Sequence, residues 1–406
     1  MHCPYRRELP VVWRTAGPLF LLAIPFLLLL LRHGYSKVVI YHFFGSQHTT
    51  TSSPNRNVLR HQTESGAGVT FEMIHGQEAV WEMPKLNINL KAVTIFGHGC
   101  YHSGGDLWPP QPGCPSRCIG LPEEIHWRRA MLSRGHMVIG ISSQDRIGRG
   151  CWFEVKKDRG ESAARVARTL IQRLNLTHLP IFATGVSGGA FMAMNLPFSM
   201  PELAGIYALV RSFDIPEKDY NLPHNRPYPP IVFLHMALHD PKTAKLVSRS
   251  VKYLQQHGRP AAQVIMDPQP PTVEFLTARA DGLIDVVMAS KIVSILDEYK
   301  YLSPNGMLKR NMRPVTEQWA PLLTPHINNL TLTLDKSVIG ELFNVAFARH
   351  EFVHDYADAI MEWLENKGVG GQAELDRLVE IEKKKDKDEA VRWKREVTNA
   401  MKQHGI

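Results

Sequence analysis

Several features that define large classes of protein are missing from this chain of 406 residues. It has no visible internal repeat, no Arg-rich helix and no basic patch interleaved with aromatic residues, so nucleic acid is not an expected partner. Global disorder is also excluded, because 44% of the residues are apolar and only 21% are charged. The length and composition favour one large globular domain with appendages.

The formal net charge of the chain is +8, but this positive charge is not spread evenly along the sequence. The first 37 residues carry a net charge of +4, half of the total, because one acid, Glu8, stands against five basic residues: Arg6, Arg7, Arg14, Arg32 and Lys37. The basic excess therefore indicates a membrane address for the N-terminal end rather than a polyanion-binding surface.

Only one long uncharged apolar run occurs at that end, over residues 16–31 (AGPLFLLAIPFLLLLL). Its length lies between that of a signal-peptide core and that of a bilayer span of about 20 residues. No small-x-small cleavage site follows it, which favours a retained signal-anchor over a cleaved signal peptide. The basic residues before the run predict a cytosolic segment 1–15, with the remainder of the chain lumenal or extracellular.

Cysteine is scarce, with five residues in the chain, and Cys3 falls in the segment expected to be cytosolic. The other four, Cys100, Cys114, Cys118 and Cys151, permit three disulfide pairings. We expect Cys114 to pair with Cys118 and Cys100 with Cys151. A four-cysteine zinc site is the alternative, but the spacing does not repeat a zinc knuckle.

Two sequons agree with a secretory route and make Asn175 and Asn329 candidate glycosylation sites. Residues 45–66 are polar, without apolar periodicity, and predict a stalk or linker. Residues 67–367 predict a catalytic domain with long insertions at 211–229 and 268–344, of the kind that shape access to a site. Residues 368–406, dense in charge of both signs, predict a solvated helix or a disordered extension.

Short apolar runs alternate with longer amphipathic ones after the stalk, which is typical of α/β folds with a mostly parallel, doubly wound sheet and helices on both faces. The predicted strands are 69–74, 92–96, 137–141, 180–184, 204–210, 231–235 and 262–266. The predicted helices are 123–134, 159–174, 188–196, 242–256 and 354–366.

The strongest chemical signal is the sequence GVSGG at 185–189, centred on Ser187. A short apolar strand precedes it and a buried helix follows it, which is the context of a nucleophilic serine on a sharp strand-to-helix turn. Small neighbours are needed there because the backbone is strained and other segments pack closely. The alternative is a structural glycine-rich turn.

Acyl transfer also needs donors for a developing oxyanion. The N–H of Gly188, directly after the serine, is one candidate, and the N–H of Cys100, after the strand 92–96, is the second. His98 on the same loop is expected to be a buried residue that braces the loop and does not titrate in catalysis.

An orienting acid and a base should follow the serine in that order. Asp240 comes just after the strand 231–235, although it could instead only cap the next helix, and Asp267 is the reserve acid. His350 is the favoured base because it precedes the closing helix; the other histidines beyond the last strand are His326, His354 and His404.

The same histidine belongs to a rival pattern, H-E-x-x-H, formed by His350, Glu351 and His354. On a helix, this spacing puts two imidazoles on one face for Zn²⁺ and would indicate a zinc metallopeptidase. Asp355 argues against it, since zinc-peptidase helices normally carry an uncharged residue there. A non-catalytic, membrane-tethered binding module is a further alternative.

Several segments occur in an order that resembles a branch of the α/β-hydrolase superfamily, found mainly as uncharacterised proteins of plants and algae. They are GHGCYHSGGDLW (97–108), CIGLPEE (118–124), GISSQDR with GCW (140–152), GVSGG, FLHMALHD (233–240) and RHEF (349–352). The resemblance covers residues 94–364. It implies an α/β-hydrolase fold. Together with the candidate serine, acid and base, the sequence predicts a serine hydrolase that needs no cofactor and acts on a small-molecule or lipid-like acyl substrate.

The resemblance also implies roles for single residues: Ser187 as nucleophile, Asp240 as acid and His350 as base, with oxyanion donors at Cys100 and Gly188. The 109 residues between Asp240 and His350 exceed the usual interval. No substrate can be carried over from this branch, because fold alone does not define one.

Overall fold

A computed structural model describes residues 68–404, apart from residues 112, 115–117, 214–227, 328–329 and 334. The predicted anchor 16–31, the predicted stalk 45–66, Cys3, Asn329 and most of the insertion 211–229 lie outside the described residues. Within the described part of the chain, no helix combines the length and the apolar character needed to span a bilayer.

The centre of the molecule is a mixed sheet of eight strands in the order β1-β2-β4-β3-β5-β6-β7-β8. The strands are β1 Thr70–Ile74, β2 Gln77–Glu82, β3 Ala92–Gly97, β4 His136–Ile141, β5 Ile181–Val186, β6 Leu203–Leu209, β7 Ile231–His235 and β8 Ala261–Ile265. Only β2 runs opposite to the others, since both of its pairings are antiparallel and the pairs from β3 to β8 are parallel. The carboxyl ends of the parallel strands therefore meet at one edge.

Helices follow most of the strands and cover both faces of the sheet. They are α1 Pro122–Ser133, α2 Val155–Asp158, α3 Glu161–Arg173, α4 Gly188–Ser199, α5 Pro241–Gln256, α6 Val273–Arg279, α7 Val286–Glu298, α8 Thr316–Leu323, α9 Val338–Phe347, α10 Ala357–Glu365 and α11 Gly371–His404. Successive strand residues alternate between two buried apolar clusters, one shared with α3, α4 and α5 and the other with α1, α10 and α11. The sheet is thus buried on both faces, as parallel sheets require.

Strand β2 is absent from the sequence prediction. It joins β1 through a two-residue turn at His75 and Gly76, both of which have positive φ (51° and 78°). A tight hairpin of this kind favours residues that tolerate the left-handed region, and the glycine is the readable signal for it. The prediction treated the segment 69–74 as a lone strand and missed its partner.

The insertion 268–344, predicted as a lid or binding loop, contains helices α6 to α8 and most of α9, which ends at Phe347. These helices pack around an apolar cluster that is separate from the two clusters of the sheet. Trp319 of α8 is buried and packs edge-on against Phe343 of α9, with 5.1 Å between ring centroids. Its indole Nε1 donates to the Met312 carbonyl at 2.9 Å. The insertion is therefore a small helical layer with a core of its own.

The charged tail is a helix, α11, but it is not solvated along its whole length as the sequence suggested. Leu375, Leu378 and Val379 are buried against α10 and the sheet. The Gln372 side chain accepts from the N–H of Gln263 and donates to its carbonyl, both at 2.9 Å, which covers the outer edge of β8. Apolar residues among the many charges attach the tail, and the helix covers an edge strand that would otherwise be unpaired.

Candidate active site

Ser187 lies between β5 and α4 in a strained conformation, with φ 52° and ψ −108°. Its N–H donates to the Leu209 carbonyl of β6 at 3.0 Å, which fixes the turn at the carboxyl edge of the sheet. A Cβ added to Gly185 or to Gly189 would overlap the backbone of neighbouring segments. Both glycines are therefore required by close packing, as the sequence argument expected, and the half-buried serine hydroxyl stands above the strands.

His350 brings its imidazole to this serine, with 2.9 Å between Nε2 and Ser187 Oγ. It lies on the connection between α9 and α10, where Ala348 and His350 both have positive φ (51° and 50°). These two left-handed residues reverse the chain after α9. Because left-handed residues other than glycine are uncommon, the surrounding structure must hold the local backbone in this conformation.

Asp240 stands behind the imidazole, with 3.4 Å between its Oδ2 and His350 Nδ1. Its other oxygen, Oδ1, accepts the N–H of Thr243 and caps α5 at 3.3 Å. The two roles considered for this residue therefore use different oxygens. Burial raises the pKa of Asp240, but the hydrogen bonds with His350 and Thr243 outweigh it and lower the pKa to about 2. The reserve acid Asp267 is exposed, after β8, with no hydrogen bond to His350 among the described contacts.

The long interval between Asp240 and His350 has a structural explanation. After α5 and β8, the chain passes through helices α6 to α9 before it returns to the sheet edge at His350. Most of the extra length is therefore the helical layer, and the acid and the base still meet.

The two nominated oxyanion donors are neighbours. Gly188 is the first residue of α4, and a Cβ built on it would lie 3.9 Å from the backbone nitrogen of Cys100 and 3.4 Å from its Sγ. Cys100 is bonded to Cys151, and Cys114 is bonded to Cys118, so both predicted disulfide pairings are confirmed. The first of these bonds ties the loop after β3 to the loop after β4.

His98 supports this loop from inside. Nδ1 lies 2.6 Å from the Gly99 carbonyl, Nε2 accepts the N–H of Ser143 at 3.0 Å, and the Trp152 indole donates to the His98 carbonyl at 2.9 Å. Burial lowers the pKa of His98 to about 3, so the ring is neutral and carries its proton on Nδ1. This arrangement agrees with the bracing role expected from the sequence.

A second support, His102 with Asp106, was missed by the sequence reasoning. Asp106 Oδ2 lies 2.8 Å from His102 Nδ1, and its Oδ1 accepts the Ser103 hydroxyl at 2.6 Å. Burial raises the pKa of Asp106, but the hydrogen bonds from His102 and Ser103 outweigh this effect, so the pKa is lower than its usual value. Ser103 and Asp106 also form a capping box on a short 3₁₀ helix, and their spacing in SGGD was the available signal.

The H-E-x-x-H pattern does not form the helix that a zinc peptidase needs, because α10 begins only at Ala357. His350 faces Ser187, whereas Nδ1 of His354 lies 2.7 Å from Glu123 Oε2. The two imidazoles therefore do not share a face. Among the described residues, one group has metal-ligand geometry, namely Glu123, His354 and Asp355.

The guanidinium of Arg279 already binds the two carboxylates of that group. Arg279 of α6 donates from Nη1 to Glu123 Oε1 at 2.8 Å and from Nη2 to Asp355 Oδ1 at 2.5 Å. Burial raises the pKa of Glu123, but the charges of Arg279 and His354 lower it below its usual range. The cluster is thus a buried ion network that fastens the His350 connection to α1 and α6.

We expect Arg279→Met to lower the free energy of unfolding by about 3 kcal/mol, because it leaves the buried carboxylate of Glu123 and the largely buried carboxylate of Asp355 without their shared guanidinium partner. Urea denaturation at neutral pH measures the loss. The control is Arg129→Met, which removes a half-exposed Arg129 from its surface pair with Asp281 and should cost under about 1 kcal/mol. Equal losses in the two variants would contradict the structural role of the network.

The strand order, with β2 alone reversed and the serine turn after β5, defines the α/β-hydrolase fold. No family model and no curated protein matches the chain. Solved structures that it resembles include a dienelactone hydrolase from Anabaena variabilis, with 13% identity over 50% of this chain and 88% of that one and a TM-score of 0.37.

Two further structures have similar scores. MGS-M1, an α/β hydrolase enzyme from a Medee basin deep-sea metagenome, is 14% identical over 54% of this chain and 89% of its own, with a TM-score of 0.36. A thermostable esterase is 15% identical over 50% of this chain and 55% of its own, with a TM-score of 0.34. The fold assignment rests on the strand order and not on these scores.

Proposed function

We propose that this chain is a serine hydrolase that cleaves carboxylic esters or related acyl compounds through Ser187, His350 and Asp240. The observation that carries the proposal is the 2.9 Å contact between the Ser187 hydroxyl and His350 Nε2, with a carboxylate on the opposite nitrogen of the same ring. Hydroxyl, imidazole and carboxylate in this relation are the parts of an activated nucleophile.

In the proposed reaction, Ser187 Oγ attacks the acyl carbon while its proton passes to His350 Nε2. The oxygen that becomes negative is bound by the N–H groups of Gly188 and Cys100. The C–O bond to the alcohol then breaks, and the leaving oxygen takes the proton from Nε2. Water repeats the sequence on the acyl-enzyme: it gives a proton to His350, forms the acid and releases Ser187 with its proton restored.

Asp240 orients the ring in this scheme. With its pKa lowered to about 2, its carboxylate is ionised at neutral pH. The carboxylate accepts a hydrogen bond from the N–H at Nδ1 of His350, so the lone pair of Nε2 faces the serine hydroxyl. An imidazolium formed during the reaction is stabilised by the same charge.

The test is labelling of the full chain with a fluorophosphonate, which bonds covalently to an activated serine. We expect wild type to be labelled and Ser187→Ala to be unlabelled, while the control Ser133→Ala, at the end of α1, keeps its labelling. Labelling that survives in Ser187→Ala would overturn the proposal. Peptidase activity that a chelator abolishes, in the absence of labelling, would favour the zinc peptidase. The absence of both labelling and peptidase activity would favour a binding module.

We further infer that residues 16–31 anchor the enzyme in a membrane, with the catalytic domain on the lumenal or extracellular side. Two disulfides are typical of an oxidising compartment, and Asn175 is exposed on a turn after α3, where a glycan could be attached. We also assign the chain to the plant and algal branch that its segments resemble.

A further inference from the structure

Large apolar side chains are exposed on loops that follow the strands of the sheet. Tyr101, Ile147 and Phe153 follow β3 and β4, and Leu238 follows β7; their exposed fractions are 53%, 102%, 53% and 66%. All four therefore stand at the carboxyl edge of the sheet, where Ser187 lies. We call these four residues the rim. Single exposed apolar residues are ordinary, but several around one opening indicate an interaction surface.

The rim is mounted on a rigid support. Tyr101 adjoins Cys100, whose disulfide to Cys151 joins the two loops that carry Tyr101, Ile147 and Phe153. The Tyr101 N–H also donates to the Arg149 carbonyl at 2.5 Å. The disulfide and this hydrogen bond fix the two loops to each other, and the three apolar side chains that these loops carry are exposed.

Basic side chains accompany the rim. Arg149, Lys156 and Lys157 are exposed, and none of them forms an ion pair with a described residue. They belong to the same segment as Ile147 and Phe153, between β4 and α3. Their charges are therefore free to meet a partner from outside the domain.

The acids of that segment are used internally. Asp145 accepts the N–H of Gly148, Glu154 accepts the N–H of Gln144, and Asp158 accepts two N–H groups at the start of α3. These carboxylates keep their charge but are only partly exposed, whereas Arg149, Lys156 and Lys157 are exposed. The surface beside the rim therefore combines exposed apolar groups with exposed positive charge.

We propose that the rim docks on an anionic lipid bilayer, with its apolar side chains entering the interface and the three basic residues near lipid phosphates. Exposed aromatic and aliphatic residues with flanking Lys and Arg are the chemistry that binds such an interface. The 36 residues at 32–67, which join the apolar run to the described domain, can span up to roughly 120 Å when extended. This reach depends on the anchor proposed for residues 16–31: a connection of this length lets the described domain reach the bilayer that holds the chain.

The experiment is hydrogen exchange, read by mass spectrometry, on the full chain with phosphatidylcholine vesicles that contain or lack phosphatidylglycerol. Peptides covering residues 144–158 should exchange about tenfold more slowly on the anionic vesicles than on the neutral ones. The reference peptide is 83–91, which carries the exposed Leu86 (77%) between β2 and β3 at the opposite edge of the sheet. Its exchange should not change.

Two variants test the chemistry of docking. Ile147→Ser with Phe153→Ser should abolish the protection, and Lys156→Gln with Lys157→Gln should remove its dependence on phosphatidylglycerol, both with an unchanged melting temperature. Unprotected peptides at 144–158, or equal protection at 83–91, would overturn the proposal. The outcome is separable from the proposed hydrolase activity, because a soluble fluorophosphonate reports on Ser187 without a bilayer.

Discussion

Ser187→Ala and His350→Ala are each expected to lower kcat by about 10⁶-fold, and the double variant should be no slower than either one. The two side chains form one proton-transfer unit across the 2.9 Å contact, so removing either disables the other. Hydrolysis of a p-nitrophenyl ester, followed with stopped assays for the slow variants, gives the three rates. A small residual rate should remain, since the N–H groups of Gly188 and Cys100 still bind the oxyanion.

The control for this cycle is His354→Ala, because His354 is near His350 in sequence but faces Glu123. It should keep kcat within about tenfold of wild type while it lowers stability. Multiplicative losses in the Ser187/His350 double variant, or a loss in His354→Ala as large as that in His350→Ala, would contradict the assignment of the base.

Asp240→Asn has the second largest expected effect, a decrease in kcat of about 10⁴-fold. Asparagine can still cap α5, but its amide donates to Nδ1 and so favours the tautomer that carries the proton on Nε2, where the serine proton must go. KM should change little, since the carboxylate contacts the imidazole and not the substrate. The readout is kcat and KM measured separately at pH values from about 6 to about 9. A fall in kcat with an unchanged KM is the expected result.

Asp267→Asn is the matched control for that variant. Asp267 follows the neighbouring strand β8 and is the acid that sequence reasoning held in reserve, yet it makes no described hydrogen bond to His350. Its kcat should equal that of wild type. If Asp267→Asn is slow and Asp240→Asn is fast, the 3.4 Å contact to Asp240 is not the one that orients the base.

Ser187 could be predicted from the sequence because the requirement for small neighbours is local. Gly185 and Gly189 flank the serine in the chain, and the same two glycines pack against other segments in the fold. Asp240 was similarly readable from the end of a strand. His350 was chosen by its place before the last helix, and nothing local separated it from the zinc pattern; only the three-dimensional path of the chain does so.

What sequence reasoning missed depends on contacts between distant segments. The partner of β1 was overlooked because the hairpin at His75 and Gly76 has only one glycine to mark it. The insertion was expected to be loops, although Trp319 and Phe343 give it a packed core. The ion network around Arg279 joins residues 156 and 76 positions away in the chain, and no pattern of spacing predicts such pairs.

The bond between Cys100 and Cys151 links biosynthesis to chemistry. Cys100 supplies a backbone group to the proposed oxyanion site, and the same residue must lose its thiol proton and be oxidised before its loop is fixed. Reduction of this bond would release the loop after β3 from the loop after β4, and with it the backbone N–H proposed to bind the oxyanion. The proposed hydrolysis should therefore be sensitive to the redox conditions in which the chain is held.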